Sequence, residues 1–252
     1  MEEQTFYVLI LFGFGIIVGS FLNVCISRIP HNNSIVHGFS YCPSCEMRIS
    51  PIDLIPIVSY VILKGKCRFC REKISLRYPL VEVLTGVLFI LTYFEYGLTL
   101  FLFKYLFIFC VLVVISFIDI DHKIIPNKLV LALFVWVLAW QLLWSEISFL
   151  EAGIGSLIGG GFLLLAAIIS RGGMGGGDIK LMFVAGFFLG ISLTGLAIFL
   201  ATLVGGIIGL ILMALKLKGR KDTIPFGPFL SGGIVIASLW GEEMIRVYLE
   251  LL

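Results

Sequence analysis

Residues 100–118 read LFLFKYLFIFCVLVVISFI, and Asp119 follows without a break. A single charge, Lys104, interrupts this run, which has about the length a helix needs to cross some 30 Å of hydrocarbon. A run of this kind places the chain in a bilayer. Composition agrees: 60% of the 252 residues are hydrophobic and 13% are charged, against roughly 25% charged in an ordinary soluble domain.

Further apolar runs lie at about 5–27, 79–97, 129–145, 152–170, 181–194, 195–215 and 226–249. The expected fold is therefore an all-α polytopic membrane protein with about eight transmembrane helices and a small zinc-binding cytoplasmic loop domain. The expected organisation is a first helix at 1–27, the loop domain at 28–78 and a transmembrane core at 79–252. The run at 181–194 is short and meets the next through Leu193-Thr194-Gly195, so a re-entrant pair or a count of seven stays open. The leading Met1-Glu2-Glu3-Gln4 is acidic and no small-residue cleavage pattern follows, so the first run reads as a permanent helix. With the N-terminus outside, 16 of the 18 Lys and Arg fall in segments placed in the cytoplasm. Glu2, Glu3, Glu95, Glu146 and Glu151 fall outside.

Residues 28–78 form the one long polar stretch. They carry Cys42-Pro43-Ser44-Cys45 and Cys67-Arg68-Phe69-Cys70, two C-x-x-C knuckles separated by 21 residues. Tetrahedral Zn²⁺ takes four thiolates about 2.3 Å from the metal, which Cys42, Cys45, Cys67 and Cys70 supply. Two disulfides are the competing reading, disfavoured on the reducing side of the membrane. A module of about 50 residues has too small a core to be stable unaided, so the metal is expected to be structural. Cys25 and Cys110 sit in apolar runs and read as packed small hydrophobes. His31 and His37 read as surface or structural residues.

Ionisable groups at membrane depth are costly and mark function. Asp119 ends the run quoted above. Asp178 ends the glycine run Gly172-Gly173-Met174-Gly175-Gly176-Gly177 and opens the apolar segment from 181. The same topology puts both on the cytoplasmic side at one depth. Two close carboxylates repel, so the pair keeps one shared proton and offers a base and an acid together. Glycine permits unusual backbone angles and close approach, which would turn a carboxylate toward a cavity. No Gly-Lys-Ser/Thr follows, which excludes a P-loop. The plainer alternative is an interhelix loop whose aspartate caps the next helix. Asp121 and His122 are expected to be more exposed.

Asp119-Ile120-Asp121-His122-Lys123-Ile124-Ile125-Pro126 and Gly175-Gly176-Gly177-Asp178-Ile179-Lys180-Leu181 resemble the two signature segments of type IV prepilin peptidases, intramembrane aspartic proteases of the G-x-G-D class. The likeness extends in order through Gly19-Ser20-Phe21-Leu22-Asn23-Val24, the paired knuckles, Arg77-Tyr78-Pro79-Leu80-Val81-Glu82 and Ile224-Pro225-Phe226-Gly227-Pro228. Asn127 departs from it, standing where many members have Asp. The resemblance implies that Asp119 and Asp178 are the catalytic pair. It implies cleavage of type IV prepilins, pseudopilins or competence prepilins after a glycine that follows a basic leader, at the cytoplasmic face of a bacterial inner membrane. It also implies N-methylation of the new N-terminus with S-adenosylmethionine. Membrane lipid is then the surrounding partner and nucleic acid has no part. No glycine-rich dinucleotide-type fingerprint is present, so the sequence assigns no site to that methyl donor. Attraction for a basic leader would fall to acids such as Glu46, Asp53, Glu72 or Glu82.

Two other classes compete. A transporter would use the broken glycine-rich helix to hold an ion with Asp119 as counter-charge, but its site belongs at the midplane and no inverted repeat is evident. A zinc-stabilised scaffold would keep its function after loss of either aspartate.

Overall fold

The computed structural model describes residues 2–170, 173–219 and 222–251. Arg171, Arg220 and Lys221, part of the charge asymmetry, and Gly172 of the glycine run lie outside them. The long helices are α1 (Glu2–Arg28), α3 (Arg77–Tyr96), α4 (Leu100–His122), α5 (Asn127–Leu143), α6 (Phe149–Ile169), α7 (Gly176–Ala214) and α8 (Gly227–Glu250), with a short α2 (Val58–Ile62) in the loop. Five of them, α1, α3, α4, α6 and α7, have the length and apolarity to cross a membrane, and α5 is an apolar helix of 17 residues. The chain is a multi-pass, all-helical membrane protein.

The eight expected runs correspond to six of these helices and the two halves of α7. The break in α7 falls at Gly190, not at Leu193-Thr194-Gly195. Gly190 adopts φ 70 and ψ −168, a conformation that favours a residue without Cβ. A Cβ there would stand 2.9 Å from the Glu151 carboxylate. The Thr194 hydroxyl donates to the Gly190 carbonyl, giving that oxygen a partner beside the break.

Two compact units divide the chain, Met1–Val114 and Ile115–Leu252, with α4 running from one into the other. In the first unit α1 and α3 pack through small residues. A Cβ on Gly15 would come within 2.7 Å of the Gly86 backbone, and one on Gly19 within 2.7 Å of Glu82 Cα. Close backbone approach of this kind is how helices associate where lipid removes the hydrophobic drive. Phe89 of α3 with Leu102 and Leu106 of α4 forms a buried cluster, flanked by Val18, Tyr93 and Cys110. Cys25 is buried and, like Cys110, in no disulfide among the described residues, in keeping with a packing role for both membrane cysteines.

Polar groups tie the loop to this helix pair. Asn23 Nδ2 donates to the carbonyls of Gly19 and Tyr78. The buried Glu82 carboxylate accepts the Ile57 N–H at 2.8 Å, and Ile57 itself holds a positive φ of 61. Glu82 is thus committed to the loop backbone and does not stand as a surface acid for a basic leader. At the end of α1 the Arg28 guanidinium donates to the carbonyls of Ser34, His37 and Phe39, fixing the entry to the first knuckle.

In the second unit α6 and α7 cross so closely that a Cβ on Gly155 would overlap the Gly186 carbonyl and one on Gly186 the Gly155 carbonyl. Gly159 meets the Met182 carbonyl in the same way, and Gly233 of α8 meets that of Ala197. These contacts set α7 between α6 and α8 and fix the start of α7.

Candidate active site

Asp119 lies one turn before the end of α4. Lys123, with φ 56, closes that helix by donating its N–H to the Asp119 carbonyl. The Asp119 side chain is 5% exposed, and its Oδ2 accepts the N–H of Gly227, the first residue of α8, at 2.8 Å. A second link joins the same two ends: Lys123 Nζ donates to Thr223 Oγ1 at 2.7 Å.

Asp178 is the third residue of α7 and is 8% exposed. Its N–H donates to the carbonyl of Gly175, the N-cap, and the Gly175 backbone lies beside its carboxylate. The plainer reading of Asp178 as the cap of the next helix is corrected: Gly175 holds the N-cap position and Asp178 lies inside the first turn. Oδ1 of Asp178 is buried and has no hydrogen-bond partner among the described residues. The Asp119 charge bears on the Asp178 carboxylate. Asp121 and His122 are exposed, as the sequence suggests.

The glycine run serves by space rather than by backbone angle. Gly175, the N-cap, has φ −71, and none of its described glycines has positive φ. A Cβ on Gly175 would stand 2.9 Å from Asp178 Oδ2, and one on Gly177 would stand 2.7 Å from Ile125 Cβ in the link from α4 to α5. Gly176 between them faces open space. That pattern accounts physically for glycine at the first and third positions of G-x-G-D. Beyond the link, Lys180 Nζ donates to Asn127 Oδ1 at 3.0 Å, so the residue that departs from the family pattern still receives a partner.

The four loop cysteines gather into one cluster, with their sulfurs all within 4.8 Å of one another. Cys42 Sγ and Cys70 Sγ are 3.8 Å apart, the edge length of a tetrahedron whose centre is about 2.3 Å from each sulfur. Donor type, number and spacing therefore fit Zn²⁺, and neither histidine of the loop joins the group. The backbone amides of Cys45 and Ser44 pull the Cys42 thiol down to about 6. Against the pull of the Glu72 amide, burial and the three neighbouring thiols push Cys70 up to about 12.

An internal repeat escapes a reading that stops at C-x-x-C. Cys42 N–H donates to Met47 and Cys67 N–H to Glu72, Glu46 N–H to Cys42 and Arg71 N–H to Cys67, Ile49 N–H to Ser40 and Ile74 N–H to Gly65. Each knuckle is closed by one isolated antiparallel bridge, Tyr41 with Arg48 and Lys66 with Lys73. Glu46 and Arg71 hold the same positive φ, 56 and 63. The signal was present in the sequence: Cys42 to Ser50 and Cys67 to Ser75 share C-x-x-C-x-x-[RK]-I-S. The second knuckle is also tied down by the Arg68–Asp53 ion pair, in which Arg68 Nε lies 2.8 Å from Asp53 Oδ2. That pair occupies a second of the acids expected to face a leader.

Two family descriptions match the chain. Residues 13–96 match the Bacterial Peptidase A24 N-terminal domain, and residues 106–210 match the Type IV leader peptidase family. The chain is 35% identical over 242 residues to the prepilin leader peptidase/N-methyltransferase of Bacillus subtilis (strain 168), covering 96% of this chain and 98% of that one. It is 34% identical over 264 residues to the protein of that name from Pseudomonas aeruginosa, covering 94% and 91%. With that of Neisseria gonorrhoeae the identity is 36% over 261 residues, covering 90% of each. No solved structure matches the chain.

Proposed function

Because this chain belongs to the type IV leader peptidase family, we propose that Asp119 and Asp178 are the catalytic pair with which it removes the basic leader of type IV prepilins. The observation that carries this reading is the pair itself: two buried carboxylates from different helices, Asp119 held at Oδ2 by the Gly227 amide and Asp178 with Oδ1 unbonded among the described residues. One carboxylate takes a proton from water, whose oxygen attacks the scissile carbonyl carbon. The other gives the shared proton to the leaving nitrogen as the C–N bond breaks. Both aspartates are set at helix ends, which suits cleavage at the cytoplasmic edge of the inner membrane, with the N-terminus outside. Pseudopilins and competence prepilins share the substrate chemistry of a basic leader ahead of an apolar helix.

The relatives' names join an N-methyltransferase to the peptidase, and we extend that activity, with S-adenosylmethionine as methyl donor, to this chain through its near full-length match. We assign the loop cysteines to structural zinc. Four thiolates would hold the ion and leave no open position for water, so it would stabilise the 28–78 module and take no part in hydrolysis.

The test is cleavage of a prepilin in membranes by Asp119→Asn, Asp178→Asn and the double variant, with expression and fold checked. Each single change is expected to remove essentially all activity, and the double variant to be little worse, because the pair acts as one unit. Asp121→Asn is expected to stay active. Normal cleavage by a well-expressed Asp119→Asn or Asp178→Asn protein would refute the dyad.

A further inference from the structure

The hydrolysis just described uses the ends of α4 and α7, yet the first turn of α8 touches one of its two carboxylates directly. We propose that Gly227 is a positioning residue for the peptidase: its backbone N–H fixes Asp119 Oδ2, and its missing side chain is what lets the carboxylate sit there. The inference rests on Asp119 being one of the catalytic pair. The hydrogen bond is 2.8 Å long, buried, and joins positions 108 residues apart. A Cβ on residue 227 would stand 2.8 Å from Oδ2 and 3.2 Å from both Cβ and Cγ of Asp119. Since Gly227 has no positive φ, glycine is required for room, not for backbone angle.

The turn that carries this amide is held from several sides. Phe226 packs on Phe229 at 6.2 Å between ring centroids, and both rings lie against Gly205 of α7. Thr223, four residues ahead, accepts from Lys123 of the α4 end. Pro228, next in line, carries no N–H, so Gly227 presents the amide at the head of a 24-residue helix whose dipole favours an anion there. With Oδ2 fixed, Asp119 keeps its other oxygen for water or the shared proton.

If Asp119 merely capped α8, changes at 227 would cost stability and leave turnover per folded molecule intact. Steady-state kinetics on purified enzyme with a leader-junction peptide separate the two. Folded protein is quantified by size exclusion and thermal melting. Gly227→Ala is expected to lower kcat roughly 10- to 100-fold with KM within about twofold of wild type, the pattern of a misplaced catalytic group. Gly232→Ala, on the same helix with nothing within 4 Å of its Cβ, is expected to keep wild-type kcat. Should Gly227→Ala fail to fold, Phe226→Leu loosens the same turn without adding an atom beside Asp119. It is expected to lower kcat about threefold or more at unchanged KM. Folded Gly227→Ala, or in its place folded Phe226→Leu, with kcat within twofold of wild type overturns the inference. The two readings fail differently: an active Asp119→Asn removes the dyad itself. An inactive Asp119→Asn beside a fully active Gly227→Ala removes only the role of Gly227.

Discussion

Asp119 and Asp178 stand out in sequence because a carboxylate beside an unbroken apolar run must have a reason to be there. The holder of Asp119 does not stand out, because a backbone amide has no letter of its own and Gly227 lies 108 positions from the group it serves. Glu82 and Asp53 show the reverse error: as letters they are acids free to meet a basic leader, but one is spent on the Ile57 amide and the other on Arg68. The hydrogen bond from Arg68, joined by its charge, holds the Asp53 carboxyl below the usual carboxylate range. A group with a lowered folded value stabilises above its ordinary value of about 4 and loses that contribution as pH falls through the folded one. Asp53→Asn is therefore expected to lower the melting temperature of the loop at neutral pH. The gap from wild type should close as the medium is acidified below the folded value, read by thermal melts across a pH series. A gap that stays constant with pH would show that Asp53 acts through shape alone.

At the scale of elements, run length and polarity located the helices to within a few residues, yet they misplaced the interruption of α7. A glycine at 190 and one at 195 look alike as letters. Only the neighbour decides, and Glu151 comes to 190. The glycine run teaches the same lesson, since its reading as a source of unusual backbone angles gives way to one of clearance. Clearance makes a sharp prediction about neighbouring positions. Gly177→Ala is expected to force α7 off the Ile125 link, costing about 1–3 kcal/mol of stability and most of the cleavage activity. Gly176→Ala, pointing into open space, is expected to be neutral or stabilising by up to about 1 kcal/mol. Denaturant titration with a cleavage assay on both variants checks this, and equal damage from both would mean that the run works by backbone flexibility after all.

At the scale of the whole molecule, the near full-length match to peptidase relatives and the two compact units describe one chain carrying a cysteine module and a carboxylate pair. Their dependence on metal is expected to differ. Purified protein should hold about one Zn²⁺ per chain. Chelation, or Cys67→Ser, should open residues 28–78 to trypsin while the helical circular dichroism persists and cleavage continues at a reduced rate. A loop equally resistant with and without metal would leave the cluster without a structural task. The gathered thiols also change the electrostatics of the loop. Residues 28–78 carry eight basic and three acidic side chains, a formal +5. Four thiolates around one divalent ion would bring two negative charges, so the loaded module would stand at +3. With zinc bound, Arg48, Lys66, Arg71 and Lys73, set in or beside the repeated knuckles, would stand as counterions to that negative charge. Loss of the metal with reprotonation of the thiols would return the loop to its full positive charge and strengthen its pull toward anionic lipid headgroups.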